Sequence, residues 1–322
     1  MPAIQFGYHT VPRGEGDPAT EPHPSHRLML RDAQQAERLG FDSVWVPDHF
    51  YFERFGRLET YPDLWTLLTA IGVTTERVRI GTNVIAATFR HPALLAKMAG
   101  ALQELCDGRL ILGMGAGNQP HEHNAFGLDF ERRIGRFKEY IPILTALLNG
   151  ETVSFEGRYF TLREASLRTA VPKVPLWIAA GGEQMFALTA KYAGGWNAAG
   201  GAGGDPAVFK AKYDGLAQAC RVAGRDVKDM DVCLLTFLAP EPDAATARRT
   251  LEGLAAHTNS TPEEVQKRTA VGTPDEIAAR LRPFAELGVN HFICAVSLPP
   301  DPERYWERVE LLAREVFPRV KA

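Results

Sequence analysis

The stretch GRLILGMGAGNQPHEHNAFG, residues 108–127, holds the choice between two α/β folds. Its centre, from Gly113 to Asn118, resembles a glycine loop of the kind that cradles a phosphate. A dinucleotide fingerprint requires G-x-G-x-x-G between a strand and a helix. Here Gly113, Gly115 and Gly117 give G-x-G-x-G, and Asn118 stands where the last glycine belongs. Pro120 and the polar run NQPHEHN follow, where a helix would have to start tightly. The strand RLILGMG is also the fourth of the chain, not the first. The segment therefore reads as a wide glycine turn at the top of a barrel strand, where glycine lets backbone approach a flat ligand.

On either side of it, short β-rich runs alternate with longer amphipathic ones. IQFGYH reads as a strand, and LMLRDAQQAERLG spaces Leu28, Ala33, Ala36 and Leu39 near a helical period before Gly40. DSVWVPDHF is a second strand stopped by Pro47, DLWTLLTAIGVTT a helix, and VRIGTNV a third strand. PALLAKMAGALQELCDG carries Pro92 in its first turn and Gly108 past its end, as helices prefer. After RLILGMG comes the helical run RRIGRFKEYIPILTALLNG. TVSFEGRYFTL then forms a small hairpin insertion near residues 151–163, turning at Glu156 and Gly157. VPLWIAAGG, WNAAG, DVCLLTFLA and HFICAV are strands five to eight, each followed by a helical run, with residues 240–270 helical but less patterned. Thr273 and Pro274 read as an N-cap and first helical residue. Eight β-then-α units without a linker predict one domain over residues 1–322, a single (β/α)8 TIM barrel with insertions. The runner-up is a doubly wound open sheet. In a barrel, function sits at the C-terminal ends of the strands.

Composition narrows the partners. The chain has 322 residues, 45% hydrophobic and 23% charged, with a net charge of -3. That balance offers no electrostatic case for nucleic acid or a membrane surface. No apolar run is long enough to span a bilayer, and MPAIQFGYHT lacks the pattern of a secretory signal, so a cytoplasmic location is expected. Cys106, Cys220, Cys233 and Cys294 form no CxxC pair and read as buried free thiols. HEHNA is not H-E-x-x-H, because Ala125 replaces the second histidine. His121 and His123 supply two ligands at most, so no metal is expected.

GFDSVWVPDHF, RVRIGTNVIAATFRHPALLAKMAGALQELCDGRLILGMGAG, VPLWIAAGG and VGTPDEIAARLRPFAELGVNHF together resemble the bacterial luciferase-like superfamily. PDHF, GTNVIAATFRHPALLA and IAAGG are most similar to its members that use coenzyme F420. The similarity runs along nearly the whole chain, in the right segment order. It implies a (β/α)8 barrel that binds a flavin or deazaflavin, acts on a small-molecule substrate and forms a homodimer. It also implies positions. Asp48 would contact the deazaflavin ring, and His49 would lie at the hydride-transfer centre as acid/base, a role suited to imidazole. Thr82, Asn83 and Val84 would form a bulge behind the ring, with a non-prolyl cis peptide between Asn83 and Val84. Gly115, Asn118 and His121 would border the ribityl chain and pyrimidine edge. Gly181, Gly182 and Glu183 would offer backbone N–H groups to the cofactor phosphate.

Two departures stand out. Tyr51, Phe52 and Glu53 follow the DHF motif where the sugar-phosphate dehydrogenases of the family carry a Trp, and Asn118 replaces their acid. Glucose-6-phosphate is therefore not the expected substrate; a small alcohol, carbonyl or enone is. The first functional expectation is an F420-dependent oxidoreductase. The alternatives are an FMN-dependent monooxygenase using reduced flavin and O2, and a non-catalytic flavin-binding barrel.

Overall fold

Helix starts fall on side chains that satisfy free backbone N–H groups. Ser25, Asp63, Asp205 and Asp243 each accept from an N–H of the first turn. Thr261 and Thr273 build full capping boxes with Glu264 and Glu276, and Pro262 and Pro274 follow them at the first helical position. The computed structural model describes residues 3–12, 25–54, 57–167, 173–198, 204–297 and 304–321.

Along the chain run β1 (Gln5–His9), α1 (His26–Arg38), β2 (Ser43–Val46), a hairpin of β3 (Tyr51–Arg54) and β4 (Arg57–Thr60), and α2 (Leu64–Thr74). Then come β5 (Arg79–Thr82), β6 (Ile85–Ala86), α3 (Pro92–Leu105), β7 (Leu110–Gly115), α4 (Pro120–Ala125) and α5 (Arg133–Leu148). A second hairpin, β8 (Val153–Glu156) and β9 (Thr161–Ala165), precedes β10 (Leu176–Ala179), α6 (Glu183–Tyr192), β11 (Gly195–Asn197), α7 (Pro206–Val222) and β12 (Asp231–Pro240). The chain continues through α8 (Ala244–His257), α9 (Pro262–Arg268), β13 (Thr269–Gly272), α10 (Pro274–Glu286) and β14 (His291–Val296). It closes with α11 (Tyr305–Leu311) and α12 (Phe317–Lys321).

Strands β1, β2, β5, β7, β10, β11, β12 and β14 pair in parallel around a full circle, the β7–β10 pairing closing it. The open doubly wound sheet is thereby excluded, because no barrel strand is left with an open edge. The hairpin expected near residues 151–163 is β8–β9 and reaches Ala165. Three further features lay outside the sequence expectation. They are the β3–β4 hairpin after β2, the short β6 and β13 beside β7 and β12, and α4, a helix that does start at Pro120.

The barrel interior is plugged at the N-terminal ends of its strands. Trp45 and Trp177 lie with ring centroids 5.2 Å apart, and His291 stands edge-on to both. A Cβ on Gly81 would sit 2.4 Å from the Trp45 ring, so only glycine admits that ring. The His291 Nε2 pairs with Ser43 at 2.8 Å and its Nδ1 with Gln5 at 3.1 Å. Burial pushes the His291 pKa down to about 3, so this plug is neutral. All four cysteines are buried free thiols. With this end filled by side chains, the C-terminal mouth is the end of the barrel where such folds admit ligands. Among the described residues no helix is long and apolar enough to cross a membrane.

Candidate active site

Pro47 ends β2 and turns the chain across the barrel mouth, placing Asp48 and His49 there. Asp48 is buried. Arg90 donates to both of its oxygens, at 2.6 and 3.0 Å, and the Ala86 N–H donates to Oδ2 at 3.2 Å. Burial pushes the Asp48 carboxyl above its usual range while Arg90 pulls it back. Burial also works against the Arg90 charge, but Asp48 outweighs it and makes the guanidinium more basic. The geometry is that of a bidentate ion pair. Both Asp48 oxygens are occupied, so the residue fastens the end of β2 to the segment after β5.

His49 is 18% exposed at the mouth. Its Nδ1 lies 3.1 Å from Oε2 of Glu122, and the other Glu122 oxygen accepts the Phe50 N–H. A carboxylate only accepts, so Nδ1 carries a hydrogen, and whenever the ring holds a single proton the lone pair is on Nε2. Tyr61 stands edge-on to the ring at 5.6 Å.

Glu122 arrives on α4. Pro120 occupies the first helical position, and the next turn buries Glu122 and His123 while His121 stays half-buried. His123 donates through Nδ1 to the Gln119 carbonyl and accepts from the Thr88 hydroxyl at Nε2, each at 2.7 Å. Both its nitrogens are engaged: Nδ1 closes the first turn of α4 on its own N-cap residue, and Nε2 ties α4 to the loop after β6. His121 packs against Tyr51, whose hydroxyl donates to the His121 carbonyl, and its Nε2 is buried with no hydrogen-bond partner among the described residues.

The peptide bond between Asn83 and Val84 is cis. Asn83 leaves β5 with its Oδ1 accepting from the Asn197 amide at 2.6 Å, across the barrel from the end of β11. Asn197 is fully buried, and its own Oδ1 has no partner among the described residues. The Thr82 hydroxyl donates to the Gly113 carbonyl at 2.7 Å and accepts the Gly113 N–H at 2.8 Å. Thr82 is thus spent on pinning β7 to the bulge rather than on offering a side-chain group to a ligand.

This bulge explains the glycine loop. A Cβ on Gly113 would lie 2.0 Å from the Thr82 carbonyl oxygen, and one on Gly115 would lie 2.8 Å from a Val84 methyl. The close approach foreseen from the sequence is real, but the approaching group is the protein's own bulge, not a ligand. Gly115 backs Val84. We expect Gly113→Ala to lower stability by about 3 kcal/mol, because backbone must move to admit the methyl. Urea unfolding measures it, and an unchanged midpoint would contradict this account.

Gly181, Gly182 and Glu183 are exposed between β10 and α6. Gly182 is the N-cap residue and no side chain caps the first turn. Asn118 is exposed on the loop before α4, and the buried carboxylate close to it in the chain is Glu122 on α4.

The mouth therefore gathers His49, Asn83, Val84 and His121 from the sequence expectation, with Gly181–Gly182 at the next strand end and Asp48, Thr82 and Gly115 behind them. Sequence reasoning passed over Glu122, Arg90, Asn197 and His9. Glu122 was weighed only as part of a metal spacing. Asn197 and His9 are polar last residues of barrel strands, and the strand-end rule would have found both.

Comparison with known proteins agrees with this architecture. The sequence pattern of the family described as luciferase-like monooxygenase matches residues 4–262. The F420-dependent glucose-6-phosphate dehydrogenase of Rhodococcus erythropolis is 31% identical over 92% of this chain and 94% of its own. The 5,10-methylenetetrahydromethanopterin reductase of Methanolobus tindarius is 25% identical over 98% and 100%. Among solved structures, an F420-dependent secondary alcohol dehydrogenase in complex with an F420-acetone adduct superposes with a TM-score of 0.79 over 99% of both chains, at 24% identity, which shows the shared fold. The chain belongs to the luciferase-like monooxygenase family and is an enzyme.

Proposed function

We propose that this enzyme is an F420-dependent oxidoreductase that passes a hydride between coenzyme F420 and a small alcohol, carbonyl or enone. The observation that carries the reading is His49, oriented by buried Glu122, beside the Asn83–Val84 bulge at the open end of a plugged barrel. The name of the Rhodococcus relative supports the cofactor. An acid/base pair at the mouth and membership of an enzyme family both speak against a non-catalytic flavin-binding barrel.

The residues present fit the deazaflavin. Its pyrimidine edge carries an N–H donor and carbonyl acceptors, and the unpartnered Asn197 Oδ1 and His121 Nε2 are buried groups of complementary kind. Val84 would give the ring an apolar backing, and the first turn of α6 would offer N–H groups to the phosphate. When bound, the deazaflavin supplies the carbon that takes or gives the hydride. In alcohol oxidation the C–H leaves the substrate as hydride and the O–H proton goes to Nε2 of His49; reduction returns both.

Titration of the purified protein with F420 and with FMN tests the cofactor. We expect saturable binding of F420, read from its fluorescence, and weak binding of FMN. Tight FMN and no F420 would overturn the reading in favour of a flavin monooxygenase.

Gly182→Val tests the phosphate contact. The residue sits at φ -156 with open space around its Cβ position, so valine fits the fold. It would crowd the α6 N–H groups, and F420 affinity should fall about tenfold, the equivalent of 1.4 kcal/mol. Unchanged affinity by calorimetry would remove the phosphate from this site.

The reading includes a homodimer. Val73, Leu94 and Leu105 are more than half exposed on the neighbouring helices α2 and α3, an apolar surface suited to a second copy. Sedimentation equilibrium should give twice the 35.5 kDa chain mass, and a monomer would reject it.

A further inference from the structure

His9 is the last residue of β1 and pairs in register with Trp45 of β2. Four residues beyond Trp45 stands His49, so two imidazoles occupy neighbouring strand ends at the mouth. His9 is only 9% exposed. Its Nδ1 is closed off from solvent and has no hydrogen-bond partner among the described residues. Leaving a buried polar group unpaired is costly, so a persistent one at a ligand site points to the ligand. The two rings also feel each other. Burial first, then charge on His49, pushes the His9 pKa down to about 4, against a smaller upward pull from the Thr10 backbone. His9 is thus a neutral imidazole at about pH 7, where an unperturbed one is partly charged.

We propose that His9 holds the substrate oxygen, donating a hydrogen bond from Nδ1 while His49 exchanges the proton, and that it thereby selects uncharged substrates bearing a hydroxyl or carbonyl oxygen. The inference rests on the function proposed above and adds to it a second contact and a substrate class.

The chemistry is consistent in both directions. A hydroxyl and a carbonyl oxygen each offer a lone pair, so one N–H stays bonded before and after hydride transfer. His49 changes protonation during the reaction and His9 does not. Two adjacent imidazolium ions would repel, and burial denies His9 the second charge. The same burial sets selectivity. A carboxylate or phosphate oxygen placed here would need a cation, and His9 offers only a dipole. The Arg90 guanidinium is engaged by both oxygens of Asp48.

The test uses the full-length protein carrying ¹⁵N-labelled histidine and loaded with F420. Its nine histidines include one signal that disappears in His9→Asn, which assigns it. Titration with cyclohexanone should shift the His9 and His49 ring nitrogens together. His9→Leu should weaken cyclohexanone binding about tenfold with F420 affinity unchanged. His9→Asn, whose amide nitrogen replaces Nδ1 as donor, should restore most of it. Failure of the wild-type protein to bind F420 would defeat the proposed function itself. F420 binding with a His49 response and a silent His9 would overturn this inference alone. Silence of both histidines towards cyclohexanone and cyclohexanol would overturn the substrate class, and the inference with it. A His9→Leu protein that melts early yet binds cyclohexanone normally would assign His9 to folding.

Discussion

His49→Ala should lower turnover by about a hundredfold or more, the scale of a lost general acid/base, with Tm nearly unchanged. The small effect on folding follows from the surroundings. The ring is partly exposed at the barrel mouth, outside the Trp45–Trp177 plug and the apolar shell. Removing it leaves Glu122 still accepting the Phe50 N–H, with water able to reach the freed carboxylate oxygen. The large effect on turnover follows from chemistry. Hydride cannot leave an alcohol carbon without somewhere for the hydroxyl proton to go, and under the proposed function that acceptor is Nε2 of His49. Turnover with F420 and a thermal melt read the two quantities separately. A variant that melts early and keeps its turnover would make the histidine structural.

Glu122→Gln should cost nearly as much in turnover, again about a hundredfold, through a different route. The amide can keep one oxygen on the Phe50 N–H, but it then presents an N–H₂ group to His49 Nδ1. Two donors cannot face each other, so the ring must place its lone pair on Nδ1 and its hydrogen on Nε2. The proton acceptor is then turned away from the substrate. Glu122 acts through His49, so the double variant His49→Ala/Glu122→Gln should be no slower than His49→Ala alone. Independent, multiplying losses would show that Glu122 works on something other than the imidazole. A solvent-exposed structural carboxylate would give neither effect.

Much of the fold was legible because the signals are local. Apolar spacing in residues 28–39, Pro92 and Gly108 at the two ends of α3, and the Thr273–Pro274 start of α10 depend on neighbours within a turn or two. The eightfold β-then-α rhythm followed from them, and Asn118, Pro120 and the position after the fourth strand together weakened the dinucleotide reading, which the closed pairing then excluded. The strand-end rule then put His49 and Asn83 at the mouth without knowledge of any contact.

What local reading could not reach is whatever barrel closure creates. Asp48 meets Arg90 42 positions away, His49 meets Glu122 73 positions away, and Asn83 meets Asn197 114 positions away. No spacing rule links such pairs, because the loops and strand ends that carry them meet only in the tertiary fold: β2, β5 and β7 lie side by side, and β5 and β11 face each other without pairing. The same is true of the opening stretch. Its glycines invite a phosphate, but what they accommodate is the Thr82 carbonyl and the Val84 methyl of the strand next door. The sequence by itself determined the barrel and the strand ends where chemistry belongs in such a fold. Only the tertiary structure decided which polar groups are spent on holding the bulge and which, at Asn197, His121 and His9, stay buried and unpaired, since hydrogen-bond satisfaction is a property of the closed barrel and not of any segment in it.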